Sequence, residues 1–245
     1  MARGPVLNIS IGAKRFDPAH APLFSDFSLE VAPSSVVALV GPSGVGKSTL
    51  LRLVAGIDTA YDGHIEIDGV PARDAPPAGF VFQDARLLPW LSAVDNIRAV
   101  RAETTREEAV AILHRVGLAS FEDAYPHQLS GGMQRRVALA RAVSVNPRLL
   151  LLDEPFVSLD RTLVREIQSV LRQLITLHEP TVLLVTHLAE DAAILADRAV
   201  VLAGRPVRTV ADITFPTPRE SRTPADLAAI VEHIHREQAS LAPAA

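Results

Sequence analysis

The stretch GPSGVGKST, residues 41–49, restricts this chain more than any other. Gly41, Gly46, Lys47 and Ser48 satisfy the spacing G-x-x-x-x-G-K-[ST]. The apolar run VVALV before it reads as a strand. Residues 47–55 read as a helix, because Leu50, Leu51 and Val54 recur at helical spacing. A strand, a glycine-rich turn and a helix in that order make a cradle for phosphate. The glycines let the backbone wrap closely, and the free amides at the helix N-terminus face the anion. Gly41, Pro42, Ser43, Gly44, Val45, Gly46, Lys47, Ser48 and Thr49 are therefore the nucleotide-binding candidates. Lys47 offers a mobile positive charge to the β- and γ-phosphates, and the sequence gives it no evident packing role. The Ser48 hydroxyl suits a Mg²⁺ ligand. The bland alternative, a glycine turn before a core helix, is disfavoured by the strand-before, helix-after context.

A second feature, acidic, agrees with the phosphate loop. LLLLDEP, residues 149–155, ends an apolar run in Asp153 and Glu154. In an open α/β sheet, ligands bind at the carboxyl ends of strands. Asp153 is the candidate for the Mg²⁺ shell, and Glu154 the candidate for polarising an attacking water. Taken alone, the pair also fits an acidic helix start that complements the helix dipole. Beside a phosphate loop, the catalytic reading is the stronger.

Other segments suggest the frame. Short strands are expected at residues 6–11, 27–31, 36–40, 80–82, 199–202 and 207–210, and an alternating strand at 63–69. Continuous apolar strands at 149–152 and 181–185 suit a parallel sheet buried on both faces. A helix at about 160–178 between them implies a right-handed β-helix-β crossover. Residues 93–145 read as mostly helical, with Thr105 and Glu108 spaced as a capping box and Val110, Leu113 and Val116 on the apolar face of the helix that follows. A terminal helix is expected at about 224–237.

The chain has 245 residues, a formal net charge of −4 and no cysteine. Disulfides and thiolate metal sites are excluded, and an acidic balance makes nucleic acid a poor partner. No apolar run reaches the roughly 18 residues that a spanning helix needs. The first residues, MARGPVLNISIGAKRF, lack the apolar core of a signal peptide. The expectation is a soluble, cytoplasmic protein whose link to any membrane runs through a partner.

Up to this point many P-loop NTPases would fit. Leu129-Ser130-Gly131-Gly132-Met133, followed by Gln134-Arg135-Arg136, narrows the field. This string resembles the signature sequence of ATP-binding cassette (ABC) ATPases, and it stands just upstream of the Asp–Glu strand as it does in that family. The resemblance covers essentially the whole chain. It implies a single ABC domain over residues 1–245, an α/β P-loop NTPase cassette. Its core would be a mixed, mainly parallel sheet, with a helical subdomain at about 88–145 and an N-terminal antiparallel β subdomain.

The resemblance also carries roles. Gln83 matches the Q-loop glutamine, a contact for Mg²⁺ or the water. Ser158-Leu159-Asp160 matches the D-loop, and His187 matches the switch histidine that holds the γ-phosphate. Phe16 lies where the family usually has a Tyr stacked on adenine; its spacing to Gly41 is slightly long, and Phe24 competes for the role. The signature ends in Met133 rather than the commoner Gln. In the family, Ser130, Gly131 and Gly132 face the γ-phosphate held by a second cassette. The implied assembly is thus an ATP-bound homodimer on two integral membrane permease subunits. It would lie at the cytoplasmic face of the inner membrane, with an extracytoplasmic solute-binding protein acting indirectly.

Gln83-Asp84-Ala85-Arg86-Leu87-Leu88-Pro89-Trp90 resembles the Q-loop region of the nitrate/sulfonate/taurine group of importers. It implies a bacterial importer for a small anionic solute. An export or lipoprotein-release ATPase is the alternative, and a soluble non-transport ABC ATPase a more distant one. Leu87, Leu88 and Trp90 read either as subdomain core or as a surface patch that meets the permease.

Overall fold

A computed structural model describes residues 3–17, 19–101, 103–157 and 159–240. Along the chain lie β1 (Leu7–Lys14), β2 (Phe24–Val31), β3 (Val36–Val40), α1 (Lys47–Val54), β4 (Asp62–Ile67), β5 (Val70–Pro71) and β6 (Gly79–Val81). They are followed by α2 (Ala93–Arg98), α3 (Arg106–Arg115), α4 (Gly131–Ser144), β7 (Leu149–Asp153), α5 (Arg161–His178) and β8 (Thr181–Thr186). The chain continues through α6 (Ala189–Leu195), β9 (Arg198–Ala203), β10 (Arg208–Thr214) and α7 (Pro224–Ala239).

The continuous apolar runs become the inner strands. β3, β7 and β8 are buried at every position. They belong to a six-stranded sheet in the order β10-β9-β3-β8-β7-β6. From β9 to β6 every neighbouring pair is parallel, and β10 is added antiparallel at the edge. Strand periodicity splits each run between two cores. Val36, Ala38 and Val40 of β3 join Leu150, Leu152, Val182 and Leu184 in a core closed by α4, α5, α6 and α7. Val37 and Leu39 join Leu149, Leu151, Leu183 and Val185 in a second core, closed by α1 and the strands of the other sheet.

That other sheet is antiparallel, in the order β2-β1-β4-β5. Its strands alternate buried and more exposed positions, as one-sided sheets do. β1 and β2 pair from Leu7↔Val31 to Lys14↔Phe24, so the hairpin is longer than the apolar segments suggest. Lys14 reaches the inside by pairing its ammonium with Asp58 at 2.6 Å, which a polar strand end does not announce. The GHIEIDG segment is a strand only to Ile67; Asp68 and Gly69 turn the chain into β5.

A third core joins α2, α3 and the middle of α4 through Val94, Ile97, Leu113, Leu118, Leu129 and Val137. Thr105 caps α3 reciprocally with Glu108: each side chain accepts the other residue's amide, at 3.2 and 2.9 Å. α6 is not signalled by the sequence, because seven residues rich in Ala show no clear periodicity. Among the described residues no helix is long and apolar enough to cross a membrane.

Leu184 sits fully buried in the central sheet. Leu184→Ala should destabilise the protein by about 2–5 kcal/mol through lost transfer energy and an unfilled cavity. Urea unfolding would read this as a lower midpoint at an unchanged slope.

Candidate functional site

Parallel strands send their carboxyl ends to the same edge of the sheet. β3 leads there into residues 41–49, β6 into Gln83, β7 into Asp153–Glu154 and β8 into His187. Residues from four distant stretches of sequence therefore share one edge.

The phosphate loop begins with Gly41 because nothing larger fits. A Cβ there would lie 2.3 Å from the Leu202 carbonyl oxygen of β9. Gly46, at φ 119°, makes the turn into α1 in a conformation that L side chains rarely adopt. Pro42, Ser43 and Gly44 are exposed, Val45 is anchored in the core, and Ser48 and Thr49 are partly exposed.

Lys47 is a correction to the sequence reading. Its side chain is buried, and its ammonium donates to the carbonyls of Gly41 at 2.7 Å and Pro42 at 2.9 Å. It therefore braces the loop as well as offering charge. Burial holds its pKa below the ordinary lysine range, and nearby Glu154 and Asp153 partly oppose that shift.

Asp153 ends β7 fully enclosed. Burial pushes its pKa up, the Ser48 hydroxyl pulls it back and Glu154 adds to the rise. The Ser48 hydroxyl donates to Asp153 Oδ1 at 2.7 Å, across 105 residues of sequence. Two hard oxygen donors at that separation fit a Mg²⁺ site, which typically uses one or two protein oxygens and fills the rest with phosphate and water. Gln83 stands exposed at the end of β6, two residues past Val81.

Glu154 has φ 47°, an uncommon angle for a residue with a side chain. Its amide donates to the Val185 carbonyl at 2.9 Å, so the β7–β8 pairing holds it there. Its carboxylate lies 3.4 Å from the His187 imidazole, and His187 is partly open to solvent. Strained backbone of this kind concentrates at functional sites.

The signature segment is built differently. Ser130 caps α4, accepting the Met133 amide at 3.3 Å. Gly131 faces open space, with no atom within 4 Å of an added Cβ. A Cβ added at Gly132 would lie 3.2 Å from the Leu159 side chain of the D-loop, so the glycine leaves room for that loop. Arg135 of α4 donates to the Val157 carbonyl, tying the signature helix to the loop after Glu154. Asp160 caps α5 by accepting the Leu163 amide at 3.0 Å. Ser158 lies outside the described residues.

The two aromatic candidates for the adenine separate cleanly. Phe24 is fully buried and packs edge-on against Phe27, so it is core. Phe16 is 69% exposed, with the Lys14 ammonium 5.1 Å from its ring centre. Its hairpin reaches the phosphate loop through Leu23, whose side chain touches the Gly46 position. Trp90 is likewise 69% exposed, which removes it from the core, whereas Leu87 packs against the helical cluster.

Two residues that the sequence did not single out hold this loop. Asn96, fully buried, bonds the Leu88 amide at 2.8 Å and donates to the Leu88, Leu91 and Ser92 carbonyls at 3.1 Å. Arg141 of α4 donates to the carbonyls of Ala85 and Arg86. An Asn and an Arg in helices carry no local pattern that marks them, since their partners are backbone carbonyls elsewhere.

Comparison with known proteins places this geometry in a family. The ABC transporter family model matches residues 24–157, more than half of the chain. The aliphatic sulfonates import ATP-binding protein SsuB of Granulibacter bethesdensis is 43% identical over 220 residues, covering 89% of each chain. Its namesake from Cupriavidus pinatubonensis is 42% identical over 218 residues, covering 89% of this chain and 72% of that one. Among solved structures, the dimeric, post-hydrolysis ATP-binding cassette MJ0796 bound to ADP and Pi has a TM-score of 0.77 at 27% identity. The match covers 87% of this chain and all of that one. With its phosphate loop, acidic strand end and signature turn on one α/β frame, the chain belongs to the ABC transporter family and is one of its ATP-hydrolysing cassettes.

Proposed function

We propose that this cassette powers a bacterial importer for a small anionic solute, of the sulfonate, nitrate or taurine kind. The observation that carries the import reading is the 40–44% identity to sulfonate import ATP-binding proteins over 87–90% of this chain. The segment from Gln83 to Trp90 points the same way. The cassette works as a homodimer on two permease subunits, peripheral to the cytoplasmic face of the membrane, with a solute-binding protein delivering cargo from the other side. Residues 1–245 act as one ABC domain, with a helical subdomain at about 88–145 and a short C-terminal helix.

The chemistry is hydrolysis of the γ-phosphate. ATP settles on the amides of residues 41–49, and Lys47 turns from the loop carbonyls to the phosphates. Ser48 and Asp153, with Gln83 nearby, would hold Mg²⁺, which when bound neutralises phosphate charge. Glu154 takes a proton from water as its oxygen attacks the γ-phosphorus, and the bond to ADP breaks. His187, beside Glu154, holds the γ-phosphate and the water. Phe16 stacks on the adenine. Ser130, Gly131 and Gly132 close over the nucleotide of the partner cassette, and Asp160 orders the D-loop beside them.

Glu154→Gln should bind ATP normally and hydrolyse it roughly 10²–10⁴-fold more slowly, because the amide cannot accept the water's proton. Turnover close to wild type in the assembled transporter would remove Glu154 from the role.

Gly131→Asp should leave ATP binding by the monomer intact and block ATP-driven dimerisation. The open space beside Gly131 accommodates the new side chain within one subunit, so the monomer has no clash to relieve. Its carboxylate then opposes the partner's γ-phosphate. A normal ATP-dependent dimer in light scattering would refute the arrangement across subunits.

Trp90→Ala should preserve the melting temperature and the basal ATPase of the isolated subunit, yet weaken permease binding and abolish cargo-stimulated hydrolysis. Large exposed aromatics often dominate interface energy. A variant that melts lower but couples normally would contradict the docking role.

A further inference from the structure

Behind His187 lies a buried hydrogen-bonded chain that neither the family motifs nor the proposed mechanism uses. Thr186 ends β8, paired with Val40, the residue that leads into the phosphate loop. The Leu188 amide donates to Thr186 Oγ1 at 3.0 Å. Thr186 Oγ1 in turn donates to Asp191 Oδ2 at 2.9 Å. His187 sits between Thr186 and Leu188, whose amide that hydroxyl accepts. On the other side, Gln168 Nε2 of α5 donates to Asp191 Oδ1 at 3.0 Å. Thr186, Gln168 and Asp191 are all nearly inaccessible to solvent.

We infer that Asp191 is a positioning residue for His187: its carboxylate, acting through the Thr186 hydroxyl, fixes the turn that presents the imidazole to Glu154. The inference rests on the proposed role of His187 and adds to it the residues that aim it. Each carboxylate oxygen accepts from one neutral donor, and Asp191 joins no ion pair among the described residues. Burial raises its pKa to about 6. Hydrogen bonds from Thr186 and Gln168 and the charge of His187 oppose that rise, and neighbouring Glu190 adds to it. Both carboxylate oxygens accept a hydrogen bond, which fixes the donor directions. The link is also long-range. Gln168 belongs to α5, the helix that Asp160 caps, so one carboxylate joins the His187 turn to the D-loop helix. A side chain that aims the imidazole without touching nucleotide should govern turnover and leave ATP affinity alone.

The test measures kcat, KM for ATP and ATP binding on the full chain with Mg²⁺. Thr186→Val is nearly isosteric and removes only the bridging hydroxyl; Asp191→Ala removes the acceptor. Each should lower kcat by about tenfold or more, since small displacements of catalytic groups are costly. KM and ATP affinity should stay within about twofold of wild type. Thr186→Ser, which restores the hydroxyl, should recover kcat to within about threefold. The double variant Thr186→Val/Asp191→Ala should be no slower than the worse single one, because both break the same chain. His187→Ala serves as the reference. Should it hydrolyse ATP like wild type, the role of His187 itself fails. An inactive His187→Ala beside an unimpaired Thr186→Val would overturn the inference alone. Losses that multiply in the double variant, or that fall on KM and ATP affinity as much as on kcat, would overturn it as well. If Asp191→Ala does not fold, the Thr186→Val and Thr186→Ser pair decides between the same outcomes.

Discussion

β3 is hydrogen-bonded on both sides by parallel neighbours, β8 and β9, along nearly its whole length. That pairing is the constraint on which the rest depends. Parallel strands need crossovers, so each carboxyl end opens into a loop at the same edge. The loops after β3, β6, β7 and β8 hold the phosphate loop, Gln83, the acidic pair and His187. The strands reach this arrangement because both of their faces are apolar and find helices on one side and an antiparallel sheet on the other. A sheet with one polar face would not place its centre in the middle of the molecule.

The electrostatics of the edge follow from that burial. Lys47 and Asp153 are both enclosed, and burial presses each toward its neutral form. Neither is left unsatisfied: loop carbonyls take the ammonium and Ser48 takes the carboxylate. On the proposed mechanism, these are the contacts that phosphate and Mg²⁺ replace. The protein thus keeps polar groups in a low-dielectric place by giving them partners that can be exchanged. A buried charge without such partners would be far more costly.

Other features stand open at the surface. An added Cβ at Gly131 would face open space, whereas one at Gly132 would crowd Leu159. The two glycines of one motif therefore do different things: one keeps a surface clear, and the other lets the D-loop come close. Trp90 stands out from a loop whose backbone is hydrogen-bonded by Asn96 and Arg141 on either side of it.

The motifs were legible because each is local. A phosphate loop needs glycines, a lysine and a hydroxyl at fixed spacing, and the helix and strand that frame it are set by apolar periodicity over a few residues. The same holds for the parallel runs at residues 149–152 and 181–185, and for the Thr105 capping box. What the sequence could not decide is which distant residues meet. Phe16 and Phe24 look alike in a string, yet one is surface and the other core, because Phe24 begins β2 facing the core whereas Phe16 lies past the end of β1, in the exposed connection between the strands. Trp90 read either as core or as surface. Lys47 seemed free of packing until Gly41 and Pro42 folded back over it. The roles of Asn96, Arg141 and Asp191 rest on backbone groups and side chains brought together by the fold. Local spacing determined the chemistry this chain carries; tertiary packing alone decided which side chains are enclosed and which are left open, since burial is a property of neighbours that are remote in sequence.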